Sequence, residues 1–326
     1  MIQGVVSVIV RYRPETAVLA FFFIVLSVLR AIYGDTLTAD KLTAKVPIIA
    51  MALIAAAACS DRTGLSNRFA GTKSDGWRPA VFRIVLDWLP AILCILVYEN
   101  LHDLVKLIHQ ETFDNQLAAI DAWIFGVQPT MWLQRCTTPW LTDLLSLAYS
   151  SYFFTPAILA GLLYTSGRIS EFKTFMLVII VTMYSGFLGY LLVPAAGPIH
   201  FFRDQYDAPT QLSGLVFHHT AEALMNEWRS VNLDCFPSLH TAVSTLTSLW
   251  AWRTRRLHRL GSLVAAIYLP LNAALWFATV YLRYHWVIDL VAGWLLAAAV
   301  AWAIPPIAQR WYALHEADVR QGGRDA

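Results

Sequence analysis

A chain of 326 residues that is 57% hydrophobic and only 14% charged, with a formal net charge of +2, is not a soluble domain, which carries about 25% charged residues. Its long continuous apolar runs exclude a membrane barrel, whose strands alternate residue by residue. The 13 Trp suit rings parked at two membrane interfaces, and the expected fold is an all-α integral membrane one, with no nucleic-acid partner.

Residues 1–16 include Arg11 and Arg13, and an apolar run from Ala17 to Tyr33 follows. No small-residue cleavage site comes after it, so it reads as a first transmembrane helix rather than a signal peptide. Val46–Cys59 is a second span, short of the ~20 residues a crossing usually takes. Ser60–Arg78 is a polar loop. Ala80–Tyr98 is the third span, and in it Arg83 and Asp87 lie one turn apart and are expected to pair. Residues 99–138 are mixed. Within them Asp121–Pro129 is polar and aromatic and ends at Gly126 and Pro129, the pattern of a helix lying in the membrane interface. Spans follow at Leu141–Tyr164 and Phe175–Val193. After a polar segment, Pro194–Phe236, come Ser238–Trp252, Ser262–Leu282 and Trp286–Ile304. That makes eight spans with both chain ends on one side. The tail beyond Trp311 is polar and expected to be disordered. The domain reading is an N-terminal pair of helices and loop over 1–78, a membrane core over 79–310, and a tail over 311–326.

Loop charges set the orientation, because Lys and Arg gather on the cytoplasmic side. With the N-terminus inside, fifteen fall in inner segments and seven in outer ones, Arg30 and Arg83 lying within spans. This puts Pro194–His240 on the outer face. The expected location is a bacterial inner membrane, with cytoplasmic termini and a periplasmic site.

The four cysteines lack a metal-type spacing. Cys59 and Cys94 sit in apolar runs, as core residues do. Cys136 and Cys235 fall in loops on the same outer side, where a disulfide and two thiols are both open readings.

Cys235-Phe236-Pro237-Ser238-Leu239-His240-Thr241 stands where a polar loop meets an apolar helix. Pro237 suits the first helical turn, where its missing N–H costs nothing. Ser238 beside it can turn its hydroxyl and N–H to the loop, as at the anion sites of helix starts, and His240 sets a titratable ring next to them. The last outer loop, Tyr281-Leu282-Arg283-Tyr284-His285-Trp286-Val287-Ile288-Asp289, puts His285 and Asp289 four apart on one face. A carboxylate beside an imidazole N–H fixes the tautomer and favours the charged ring. Two histidines, one with a carboxylate, can serve as nucleophile and proton donor. A single histidine at an interface is ordinarily a hydrogen-bonded spectator. It is the two segments, on one side of the membrane, that point to catalysis.

Pro237-Ser238-Leu239-His240, followed by His285-x-x-x-Asp289 ahead of Gly293, resembles the second and third signature motifs of the type 2 phosphatidic acid phosphatase superfamily. The resemblance covers roughly Leu141–Ile304. Leu239 stands where the phosphatases usually have Gly. That form, with Cys235-Phe236 before it, is similar to the fungal inositol phosphorylceramide synthases and their bacterial relatives. Tyr190-Leu-Leu-Val-Pro-Ala-Ala-Gly-Pro198 resembles their segment in place of the first phosphatase motif, and Asp121–Pro129 has a similar character.

The resemblance implies a six-helix core and a phosphohistidine intermediate. It makes His285 the nucleophile, Asp289 its orienting carboxylate, His240 the general acid and Ser238 a phosphate ligand. Two features depart from the phosphatases. Their first motif, with a Lys and an Arg-Pro pair, is absent, and Lys173 falls on the inner side. An Arg six residues before the nucleophile is Thr279 here, so Arg283, Arg203 and His200 are the candidates for holding phosphate. Fewer fixed cations suit a phosphodiester, with one charge, better than a monoester with two.

The reading is therefore transfer of a phospho-headgroup from a glycerophospholipid to a lipid alcohol. A lipid phosphate phosphatase acting on phosphatidate, prenyl pyrophosphate or a phosphorylated headgroup is the alternative. A transporter is the third, disfavoured because the polar groups cluster at outer helix ends whereas transport sites lie near the midplane. No metal or other cofactor is required, and a zinc set of His240, His285 and Asp289 stands against that expectation.

Overall fold

Prolines and polar loops punctuate the apolar runs, and each run becomes a helix. The computed structural model describes residues 13–33, 77–109, 111–206, 212–220, 223 and 233–322, and among them no strand occurs. The helices are α1 (Pro14–Tyr33), α2 (Trp77–Ile108), α3 (Asp114–Phe125), α4 (Pro129–Leu133), α5 (Pro139–Ser150) and α6 (Thr155–Thr165). After them come α7 (Ile169–Leu192), α8 (Pro198–Phe201), α9 (Leu239–Thr254), α10 (Gly261–Tyr281) and α11 (Val287–Gly322). Pro129, Pro139 and Pro198 each open a helix, where a residue without an N–H is tolerated.

Among the described residues three helices are long and apolar enough to cross a membrane: Ile169–Leu192, Gly261–Tyr281 and Val287–Ala317. A bent pair, Pro139–Phe153 and Thr155–Thr165, which meet at 45°, is long and apolar enough only when taken together, as a broken span or a re-entrant loop. The sequence predicts one span at Leu141–Tyr164. The break has a local cause: Pro156 lacks the N–H that would bond the Tyr152 carbonyl, so the helix breaks at Phe154 and restarts at Thr155. The tail is also different from expectation, since α11 runs on to Gly322. Gln309–Ala317 is rich in Ala, Leu, Gln, Arg and Glu, which are strong helix formers. The expected span at Val46–Cys59 lies outside the described residues.

The described residues form two compact units. One holds α1, α2 as far as Asn100, Met176–Val181 and α11 from Trp302 onward. Its core includes Leu19, Phe22, Phe23, Leu93 and Val97. Arg13 binds both Asp87, at 3.0 Å, and Glu15, at 3.2 Å. Asp87 thus has Arg13 as an ion-pair partner; the side chain of Arg83, its expected partner, lies outside the described residues.

The second unit takes residues 101–175 and 182–301 and contains all the candidate site residues. Helix α9 runs through its middle against α6 and α10, burying residues on every side, from Leu239 and Ala242 to Leu246 and Trp250. Its hydroxyls are satisfied internally. Thr247 and Thr254 bond carbonyls four residues back at 2.7 Å. Asn272 of α10 donates to the Ser244 carbonyl at 3.0 Å, and Trp276 donates to Ser244 Oγ at 2.8 Å. A helix carrying this many hydroxyls is stable away from water only when each has a partner.

Candidate active site

The start of α9 is built around Ser238. It is the N-cap, with β-region backbone (φ −66°, ψ 103°), and its Oγ accepts from Thr241 N at 3.3 Å and Thr241 Oγ1 at 3.1 Å. Its own N–H donates to the Asp289 carbonyl at 3.1 Å. The sequence reading turned both groups of Ser238 to the loop. The structure engages the N–H and leaves the hydroxyl proton as the group that remains to donate. Pro237 lies outside the helix, joined to Phe236 by a cis peptide, because Ser238 takes the capping position. Leu239 rests on Gly186 of α7, where even a methyl group would collide with its side chain.

One residue into α9, His240 meets two tyrosines, Tyr149 in the last turn of α5 and Tyr152 in the short turn between α5 and α6. Its ring stacks on Tyr149 (centroids 4.6 Å apart, 25° between planes) and meets Tyr152 at 4.3 Å. Its Nδ1 lies 3.2 Å from Nε2 of His285.

His285 leaves the turn that ends α10. The N–H groups of Tyr284 and His285 both donate to the Thr279 carbonyl, at 2.9 and 3.1 Å, and Arg283 sits in the left-handed region (φ 67°). Thr279 thus gives this loop its backbone anchor. The ring of His285 points Nδ1 at Asp289 Oδ2, 3.3 Å away, and Nε2 at His240. Asp289 Oδ2 also accepts from Trp286 N at 2.8 Å and from the Cys235 thiol at 2.9 Å, while Oδ1 is buried without a partner. His285 lies two residues ahead of α11 rather than on it, so the loop, not helical spacing alone, brings the ring onto the carboxylate. Cys235 is therefore a thiol against this carboxylate. Neither it nor Cys136 is in a disulfide. Burial, then the nearby Asp289 charge, pushes the thiol well above its ordinary value.

Two aspartates on α3 hold the loops. Asp114 accepts from Ala196 N at 2.8 Å, Gly197 N at 2.9 Å and Trp286 Nε1 at 3.1 Å. Asp121 accepts from Val287 N at 2.7 Å and Ile288 N at 3.0 Å, the first N–H groups of α11, which have no partner inside the helix. Burial raises Asp121 to about 6 against the pull of these two bonds, with the Asp289 charge adding to the rise. The opposite face of α3 is apolar and open: Trp123 is 85% exposed, with Ile124 and Phe125 beside it. The helix hides its carboxylates and displays its rings, as an interfacial helix over a protein core must.

Arg283 is buried, its guanidinium 3.8 Å above the ring of Tyr206. Burial lowers its proton affinity, though a guanidinium stays charged. The Tyr206 hydroxyl donates to the Pro198 carbonyl at 3.0 Å, and burial pushes it up to about 12. His200, in α8, and Arg203, at the head of a 3-10 turn, are exposed. Arg203 makes no hydrogen bond or ion pair with His240, His285 or Asp289. The structure thus gathers Ser238, His240, His285 and Asp289. Sequence reasoning missed Cys235 as a neighbour of Asp289, the two tyrosines and Asp114. The available signal was Asp114 and Asp121, seven apart and so on one helical face.

The sequence profile of the PAP2 superfamily matches residues 115–303, a span that holds every candidate site residue. No curated protein and no solved structure matches the chain.

Proposed function

The chain belongs to the PAP2 superfamily of membrane phosphatases and phosphotransferases, and on that premise we propose that it transfers a phospho-headgroup from a glycerophospholipid to a lipid alcohol. The observation that carries this reading is the orientation of His285, with Nδ1 on Asp289 and Nε2 3.2 Å from His240. With its N–H on Nδ1, held by the carboxylate, the ring keeps the Nε2 lone pair for attack. A phosphorus atom takes the place of the His–His contact. Nε2 bonds to it, the bond to the diacylglycerol oxygen breaks, and protonated His240 gives that oxygen its proton. The alcohol's oxygen then attacks the phosphohistidine, His240 takes the alcohol's proton, and His285 is released.

Ser238, Arg283, Arg203 and His200 are the proposed phosphate ligands. The buried Arg283 offers one fixed charge near the loop, which suits a singly charged diester. The inositol phosphorylceramide synthase-like branch is supported by Leu239, whose bulk is matched by Gly186 beneath it. We place this chemistry in a core of residues 79–310, preceded by the helices of 1–78 and followed by 311–326. It belongs to an eight-span protein with both termini cytoplasmic and the site on the outer, periplasmic face of a bacterial inner membrane.

The test is purified protein given a phosphodiester or a phosphomonoester lipid, with and without ceramide or diacylglycerol. Headgroup transfer that needs the alcohol and is lost in His285→Ala is the expected result. Phosphate release from the monoester without any alcohol makes the protein a lipid phosphate phosphatase, and the transferase reading is then wrong.

A further inference from the structure

We propose that Cys235, His285 and Asp289 form a binding site for one thiophilic divalent cation, Zn2+ or Co2+, and that filling it silences His285. These three side chains are buried, and one donor atom from each lies within 4.8 Å of the other two. A thiol, an imidazole and a carboxylate are all zinc ligands, and three protein ligands with an open fourth position is a common zinc arrangement. The geometry is close to what an ion needs. Cys235 Sγ lies 3.5 Å from His285 Nδ1, His285 Nδ1 lies 3.3 Å from Asp289 Oδ2, and Sγ lies 2.9 Å from Oδ2. Tetrahedral zinc at ordinary bond lengths separates such atoms by about 3.3 to 3.6 Å, so two edges fit and the third, Sγ to Oδ2, opens by about 0.7 Å. The second oxygen of Asp289 is buried without a partner, which a bidentate or shifted carboxylate would relieve.

The chemistry of occupation follows from the tautomer. In the neutral ring the proton is on Nδ1 and the lone pair on Nε2. An ion on Nδ1 needs the lone pair of that nitrogen, so the N–H moves from Nδ1 to Nε2, and the thiol proton leaves to solvent. Nε2 then has no electron pair for phosphorus. The cation site is an inhibitor's site and supplies no step of the reaction. His240, the third member of the zinc set suggested by sequence, contacts Nε2 and is outside this one.

Co2+ titrated into the detergent-purified full-length protein reads the site without any assay of activity. One equivalent is expected to give thiolate-to-cobalt charge-transfer absorption and tetrahedral d–d bands. Both should be lost in Cys235→Ser and kept in Cys136→Ser. X-ray absorption on the zinc-loaded wild-type protein is expected to find one sulfur at about 2.3 Å with nitrogen and oxygen ligands, a result that needs no variant to fold. Zn2+ should inhibit turnover, EDTA should reverse it, and Cys235→Ser should need at least tenfold more Zn2+. A zinc shell without sulfur, or cobalt bands that survive Cys235→Ser, overturns the site whatever the protein's substrate proves to be. Zinc bound with sulfur but without inhibition overturns the silencing.

Discussion

Two kinds of buried aspartate meet beneath one loop, and they differ in what they hold. Asp289 faces titratable side chains, an imidazole and a thiol, and one of its oxygens is unpartnered. Asp114 and Asp121 face N–H groups that never titrate, five in all counting the indole of Trp286. A carboxylate among side chains can alter proton affinity during a reaction; a carboxylate among N–H groups can only fix where the backbone runs. The first suits the proposed chemistry and the second suits position, though the three are equally hidden from water.

This contrast can be broken most strongly at His285, the proposed nucleophile. His285→Ala should lower transfer by about 10³-fold or more, since the covalent step is gone. Melting of the detergent-solubilised variant should stay within a few degrees of wild type. Asp289→Asn keeps the shape but can hold the ring in the wrong tautomer, and a loss of about 10²- to 10⁴-fold in kcat is expected. Asp121→Ala tests the other class. It strands two N–H groups at the head of α11 and should cost about 2 kcal/mol or more. Activity should fall far less than in Asp289→Asn, with kcat reduced about tenfold as the loop loosens. If Asp121→Ala instead matched Asp289→Asn in activity while melting like wild type, the division between the two classes would be wrong.

A finer test uses acid. The folded-state value of about 6 for Asp121 stands above the ordinary 3.8, so the folded chain holds this proton more tightly than the unfolded one. The stability that it adds is complete below the unfolded value and is lost as pH rises through about 6. Going from about pH 7.5 to about pH 5, the melting temperature of wild type should gain on that of Asp121→Asn by roughly 2 °C. A gap that stays constant, or moves the other way, would remove the titration from Asp121. The smallest effect is expected at Trp123→Ala, on the open face of α3. Stability should change by no more than about 0.5 kcal/mol, with a modest loss of activity on vesicles and none in detergent micelles.

Much of this could be read from the residues. His240, His285 and Asp289 stand out because the spacing of polar residues at the ends of apolar runs is a one-dimensional signal, and the charge bias of the loops puts both histidines on one side. The break at Phe154 was not legible as a bend, since a proline inside an apolar run is compatible with a kink or a straight crossing. Yet the residues just ahead of that bend, Tyr149 and Tyr152, are the ones packed on the His240 ring. Cys235 was read by its chemistry with other cysteines, whereas its partner, Asp289, is 54 residues away in the chain. Asp121 was legible as part of an interfacial stretch, but the inversion of that helix was not. Hydropathy places a carboxylate toward water by default, and only the N–H groups of α11 give it a reason to turn inward.

The hydrogen bond from Ser238 N to the Asp289 carbonyl makes one mechanical part of two motifs that are far apart in sequence. Gly293 completes the joint, because a side chain there would come within 2.5 Å of the Ser238 carbonyl oxygen. Neither motif can be transplanted alone. A chimaera that imports the Ser-Leu-His segment into a relative must bring this chain's own matching turn of α11 with it, and directed-evolution libraries should vary the two stretches jointly.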